Sequence, residues 1–154
     1  MLIRPSLWPV SVKGIALDRT SRVLLLRNER AEWELLGGRM EIGPPTSSDP
    51  SDPSPDATVE RELREETGWE VRADALIDTW IYEPVPERRV LIITYDCIVL
   101  TPDQKPVVSN EHSRIGLFSP SEVAGLTMPA GYKQSIAAAY AARARRERGI
   151  RGQP

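Results

Sequence analysis

The run Arg61-Glu-Leu-Arg-Glu-Glu-Thr-Gly-Trp-Glu-Val-Arg72 constrains this chain more than any other stretch. It sets three carboxylates, Glu62, Glu65 and Glu66, on about one and a half turns of predicted helix. At about 100° per residue, Glu65 falls at about 300° and Glu66 at about 40° from Glu62, so the three share one arc. Val59 and Leu63 occupy the neighbouring arc and are expected to hold the helix against a core. Like charges at this spacing repel by roughly a few tenths of a kcal/mol per pair even when exposed. Arg61 relieves part of that through Glu65 at i,i+4. A divalent cation bound through oxygen is the natural agent for the rest, whereas a solvated face is the plainer reading of a Glu-rich helix taken alone.

The residues ahead of the helix favour the first reading. Positions 33–43 run Trp-Glu-Leu-Leu-Gly-Gly-Arg-Met-Glu-Ile-Gly, and the helix ends at Gly68 followed by Trp69. Together these resemble the signature of the Nudix hydrolases, G-x5-E-x7-R-E-U-x-E-E-x-G-U, with U apolar. Gly38 takes the place of the first glycine; Arg61, Glu62, Leu63, Glu65, Glu66, Gly68 and Trp69 match the second half without a gap. The resemblance implies an α/β (α+β) Nudix fold, an α/β/α sandwich around a mixed β-sheet. It also implies a Mg²⁺-dependent hydrolase, with Mn²⁺ as the substitute cation. Such an enzyme cleaves the diphosphate linkage of a nucleoside diphosphate derivative (a nucleotide sugar, ADP-ribose or a nucleoside triphosphate) by attack of water on phosphorus.

Three departures from the signature matter. Gly38 and Arg61 stand twenty-three positions apart where the signature has fourteen, an insertion of nine. The middle glutamate is absent: counted forward its place is Pro44, counted back it is Pro53. The stretch 44–56 is rich in Pro, Ser and Asp and is expected to be a flexible loop extension. Asp49, Asp52 and Asp56 are the acids able to return a carboxylate, and no spacing selects among them. Leu36 stands where many relatives have proline.

By resemblance, Glu62, Glu65 and Glu66 are the metal ligands, the Gly38 carbonyl completes the set, and Arg61 orients the acids through its planar fork. Glu111, just ahead of a strand ending in Phe118, is the candidate general base, and the lone His112 beside it reads as a surface or hydrogen-bonding residue. Arg27 and Arg39 flank the signature and are the better phosphate-binding candidates; Arg88-Arg89 is the alternative. Trp8, Trp80, Tyr82 and Tyr132 are candidates to stack on a base, Trp80 and Tyr82 foremost. The alternative function is a catalytically impaired Nudix domain that senses a nucleotide, which the missing glutamate would suit.

At 154 residues the chain is expected to be one domain, 1–154. A net charge of −2 gives no field for nucleic acid, and the cluster Arg143 to Arg148 reads as a solvated helix end. No run approaches the roughly 18 apolar residues of a membrane span, and the first residues lack a signal peptide's pattern. A cytoplasmic protein acting on a small nucleotide-derived substrate, without nucleic acid or membrane partners, is the expectation, and homodimers are frequent among similar proteins. Cys97 sits alone in the apolar run Val90–Leu100 and reads as core.

The coarse pattern predicts strands at Trp8–Asp18 and Arg22–Asn28 joined at Asp18-Arg-Thr-Ser21, and a short apolar piece at Glu32–Leu36. A helix capped by Ser54 with Pro55 at N1 follows. Further strands are expected at Val71–Tyr82, Val90–Leu100 and Arg114–Phe118. A capped helical turn at Ser119–Val123 and a helix at Pro129–Arg148 complete the pattern.

Overall fold

The computed structural model describes residues 8–41, 51–109 and 113–152. Its strands are β1 (Val10–Ala16), β2 (Val23–Arg27), β3 (Trp33–Arg39), β4 (Val71–Val85), β5 (Arg88–Val99) and β6 (Arg114–Phe118). The helices are α1 (Pro55–Thr67), α2 (Pro120–Ala124) and α3 (Ala130–Arg151). All six strands form one mixed sheet in the order β4-β5-β1-β3-β2-β6; β1 runs parallel to β5 and every other pairing is antiparallel.

The central strand β1 is buried from Val12 to Ala16, as expected for a strand covered on both faces. Val12, Ala16, Leu24 and Leu36 pack with Val59 and Leu63 of α1 on one face. Ile15, Val23, Leu25 and Leu35 pack with Val123 of α2 and Tyr132, Ile136 and Ala139 of α3 on the other. Two core layers against one sheet make the α/β/α sandwich that the resemblance implied. Val59 and Leu63 are fully buried, each contributing about 1.5–3 kcal/mol to holding α1 on the sheet.

The differences from the sequence expectation have local causes. β4 and β5 continue past Tyr82 and ahead of Val90, closing at the pair Val85↔Arg88. Pro84 is tolerated because β4 is an edge strand and needs no donor on its open side. Glu87 adopts φ 70° in the tight turn. Ser54 precedes α1 as its N-cap residue, but its side chain bonds no helix N–H and is engaged instead by Asp56. Gly68 ends the helix as predicted, in the left-handed region at φ 75° with its N–H on the Arg64 carbonyl.

The cluster at the end of α3 is exposed at Arg145 and Arg148 as expected, but Arg143 and Arg146 have acidic partners. Arg143 donates through Nε and Nη2 to Asp96, and Arg146 donates to Asp96 and Asp74. Asp96 is 2% exposed, so these arginines fasten α3 to β5 by neutralising a buried charge.

β3 extends through Gly37-Gly38 rather than stopping at Leu36. Gly37 has φ 132°, and a Cβ there would lie 2.0 Å from the Val12 carbonyl oxygen. Only glycine lets β3 cross β1 this closely. Gly37→Ala is therefore expected to lower the unfolding free energy by about 3 kcal/mol or more. Gly149→Ala, where a Cβ meets nothing within 4 Å, should leave stability unchanged or slightly raised. Urea denaturation of both variants checks the contrast.

Candidate active site

The face that α1 turns to the sheet decides where its acids go. With Val59 and Leu63 in the core, Glu62 and Glu66 lie along the edge of the contact beside β3, and Glu65 projects outward. The Glu65 side chain is 58% exposed and is held by Arg61, Nη1 to Oε2 at 3.0 Å. The three carboxylates of one helical arc thus divide into an inward pair and an outward acid.

The inward pair rests on the glycines. A Cβ on Gly38 would lie 2.5 Å from the Glu62 carboxyl carbon and 2.7 Å from each of its oxygens. Glycine at this position leaves room for the Glu62 carboxylate, which lies where a side chain would be. The Gly37 N–H donates to Glu66, and the Glu62 and Glu66 carboxyls hydrogen-bond to each other. Burial pushes the Glu66 carboxyl well above the usual carboxylate range; Lys13 opposes that and Glu62 adds to it.

Arg61 stands behind this pair. Its Nε and Nη2 donate to Asp52 Oδ1 and Oδ2, both at 3.0 Å. Its Nη1 reaches Glu65 and also lies 3.1 Å from Glu62 Oε1. Through that fork the guanidinium holds the Asp52 carboxyl down at about 2, helped by the Glu41 N–H and the Thr58 hydroxyl against the effect of burial. The structure thus singles out Asp52 among the candidate acids of the insertion. Asp56 belongs to the first turn of α1, and Asp49 lies outside the described residues.

A cavity of about 250 Å³ opens beside Glu66, walled by Leu26, Glu34, Gly37, Val108, Ser109 and Ser113. Two of the charged groups here were missed in the sequence. Glu34 accepts from Asn28 Nδ2 at 3.1 Å and lies 3.5 Å from Lys13 Nζ. Lys13 is 7% exposed, with its ammonium 5.9 Å from the centre of the Tyr132 ring. The available signal was a lysine interrupting the apolar run Val10–Ala16, a position that demands a buried partner. Ser109 and Ser113 flank the segment carrying Glu111 and His112, both of which lie outside the described residues.

The substrate-binding candidates scatter. Arg27 is paired across the β2–β6 ladder with Arg114, and both line a separate cavity of about 200 Å³. Arg39 is exposed at the end of β3. Trp80 packs against the first turn of α3, where a Cβ on Gly131 would come within 2.4 Å of its ring, and it meets Tyr82 and Tyr132 edge-on. Its indole N–H is buried with no partner among the described residues, and the ring is partly buried against the core. Tyr132 is core, and Trp8 is exposed. Tyr82 has Arg30 Nη2 3.5 Å from its hydroxyl.

Among the described residues, no three His, Cys, Asp or Glu side chains already converge on one point as a metal site. No helix described is long and apolar enough to cross a membrane.

Comparison with known proteins adds a family to this geometry. A model of the NUDIX domain matches residues 7–139. A MutT-like protein of Streptomyces ambofaciens is 30% identical over 120 residues, covering 77% of this chain and 69% of that protein. The MutT protein from Methanosarcina mazei Go1 superposes with a TM-score of 0.69 at 24% identity, covering 93% of this chain and 99% of that one. An ADP-ribose pyrophosphatase from Streptococcus suis superposes with a TM-score of 0.63 at 19% identity, covering 88% of this chain and 91% of that one. These two structural likenesses speak for the fold.

The raised Glu66 carboxyl has a signed consequence for the cation-free protein. Below the ordinary carboxylate range both folded and unfolded states carry the proton, and stability is unaffected. Above it the unfolded chain ionises first, so stability falls as pH rises, until the folded carboxyl ionises too. In chelator, the wild-type Tm should fall more steeply than that of Glu66→Gln between about pH 5 and about pH 8. Parallel curves from thermal melts would contradict the buried Glu62–Glu66 contact.

Proposed function

The chain belongs to the Nudix family of pyrophosphohydrolases, and from that premise we propose that it is a Mg²⁺-dependent enzyme. Its reaction is hydrolysis of the diphosphate linkage of a nucleoside diphosphate derivative, by water attack on phosphorus. The observation that carries this reading is the Glu62–Glu66 pair, laid on the Gly37-Gly38 backbone beside a cavity.

That arrangement fits a hard divalent cation. Two carboxyls in contact, one of them largely buried, are oxygen acceptors that a cation can take over. Glu62 and Glu66 would hold it, the Gly38 carbonyl would complete the set, and Glu65 is exposed enough to swing in from Arg61. When bound, the cation neutralises phosphate oxygens and favours ionisation of water.

The protein's own groups supply the remainder. Arg61 fixes Glu62 at the site through its Nη1 and holds Glu65 outward through the same nitrogen. Lys13 lends positive charge beneath Glu66 and orders Glu34 in the cavity wall. Glu111 is the acid assigned to accept the proton of the attacking water, carried on the segment between Ser109 and Ser113. Tyr82 and the recess around Glu34 and Lys13 are the better place for the base; Arg27, on its separate cavity, and Arg39, exposed at the end of β3, are the candidates for the phosphates. The similar proteins, a MutT protein and an ADP-ribose pyrophosphatase among them, support a nucleotide diphosphate class without selecting one member.

The sensor alternative drew its support from the missing middle glutamate. Asp52 on Arg61 weakens that argument, since the arginine keeps a carboxylate partner. Purified protein assayed on triphosphates, nucleotide sugars, ADP-ribose and dinucleoside polyphosphates, with and without Mg²⁺, tests the proposal. Metal-dependent cleavage of one class, lowered at least ~10²-fold in Glu66→Gln, is expected. Silence across the panel, with a nucleotide still raising the Tm, would establish the sensor instead.

A further inference from the structure

We infer that Asp52 is the positioning residue that orients Arg61 and, through it, the cation-binding acids of α1. The inference rests on the hydrolase reading for its catalytic meaning, and on the geometry alone for the positioning.

Counted back from Arg61, the missing acid falls on Pro53, whose side chain is exposed. Asp52 stands one residue before it, and its side chain is 8% exposed. Aspartate is one methylene shorter than glutamate, and the backbone makes up the difference. The Asp52 N–H donates to the Glu41 carbonyl at 2.8 Å, and the Glu41 N–H donates to Asp52 Oδ2 at 2.9 Å. Met40 in turn is anchored by its N–H on the Val10 carbonyl at 2.9 Å. Glu41, just after β3, and Asp52, just before α1, are thus held together by a pair of hydrogen bonds.

The division of donors on Arg61 gives this contact its consequence. Asp52 occupies Nε and Nη2 as a two-point partner, leaving Nη1 for Glu62 and Glu65. Without Asp52, the guanidinium is free to turn its full fork onto those two glutamates and compete with a cation for them. Supporting contacts of this kind typically govern metal affinity by about 10–100-fold.

The test compares wild type with Asp52→Asn, Asp52→Glu and Asp56→Asn. Mn²⁺ binding is followed by electron paramagnetic resonance, and the Arg61 Nε–H exchange rate by NMR of the metal-free protein. Asp52→Asn should weaken Mn²⁺ binding at least ~10-fold, expose the Arg61 Nε–H to exchange, and lower kcat more than it changes the KM for nucleotide. Asp52→Glu should restore most of the affinity and the protection, and Asp56→Asn should match wild type. Unchanged Mn²⁺ affinity in a folded Asp52→Asn protein, or an equal loss in Asp56→Asn, would overturn the inference. If wild type binds Mn²⁺ with these differences yet cleaves no nucleotide, the positioning role stands and the hydrolase reading falls.

Discussion

Two carboxyls pressed against each other on a glycine backbone are the contact from which the rest of the site follows. Glu62 and Glu66 sit one helical turn apart on a helix whose other side is buried to completion by Val59 and Leu63. The helix cannot turn to separate them from β3 without losing that burial. Gly37 and Gly38 let the strand backbone come up underneath, one by a φ of 132° and the other by lacking a Cβ where Glu62 lies. The sandwich therefore forces the acids together, and the glycine pair makes that placement sterically possible. A cation can answer the resulting repulsion, and so can a shared proton. That choice is the link from fold to function.

Around the pair, fixed cations balance the charge without occupying the space between the acids. Lys13 reaches from the central strand toward Glu34 and Glu66, and Arg61 lies behind Glu62 with Asp52 at its back. Both cations are substantially buried, so each needs its carboxylate, and each carboxylate is thereby fixed in orientation. A similar device on the far side of the molecule, Asp96 held by Arg143 and Arg146, borders no assigned site and serves to fasten α3.

Local chemistry made part of this legible in the sequence. Pro55 at N1, the Val59–Leu63 spacing and Gly68 as stop define α1 from residues that act on their immediate neighbours, and its acids come with it. The mixed sheet between two helical layers followed from the resemblance; the order of strands and apolar residues gave only α+β. What stayed hidden depends on partners distant in the chain. Lys13 acquires its meaning when β3 brings Glu34 to it, and Trp80 packs against the core because α3 presents Gly131. Asp52 was indistinguishable from Asp49 and Asp56 until Glu41 and Arg61 fixed it. Arg143 and Arg146 read as solvated because Asp96 lies on a strand far earlier in the sequence. β4 and β5 run on beyond the expected ends because Pro84 falls at an irregularity of the ladder on an edge strand.

The central claim is that the Glu62–Glu66 pair beside Gly38 is a cation site. Anomalous diffraction from crystals soaked in Mn²⁺ tests it most directly. The account predicts a peak bound by the Glu62 and Glu66 carboxylates next to Gly38, at about 2.0–2.3 Å from oxygen ligands. A strong peak elsewhere, with the two glutamates still hydrogen-bonded to each other over the Gly37 N–H, would contradict it.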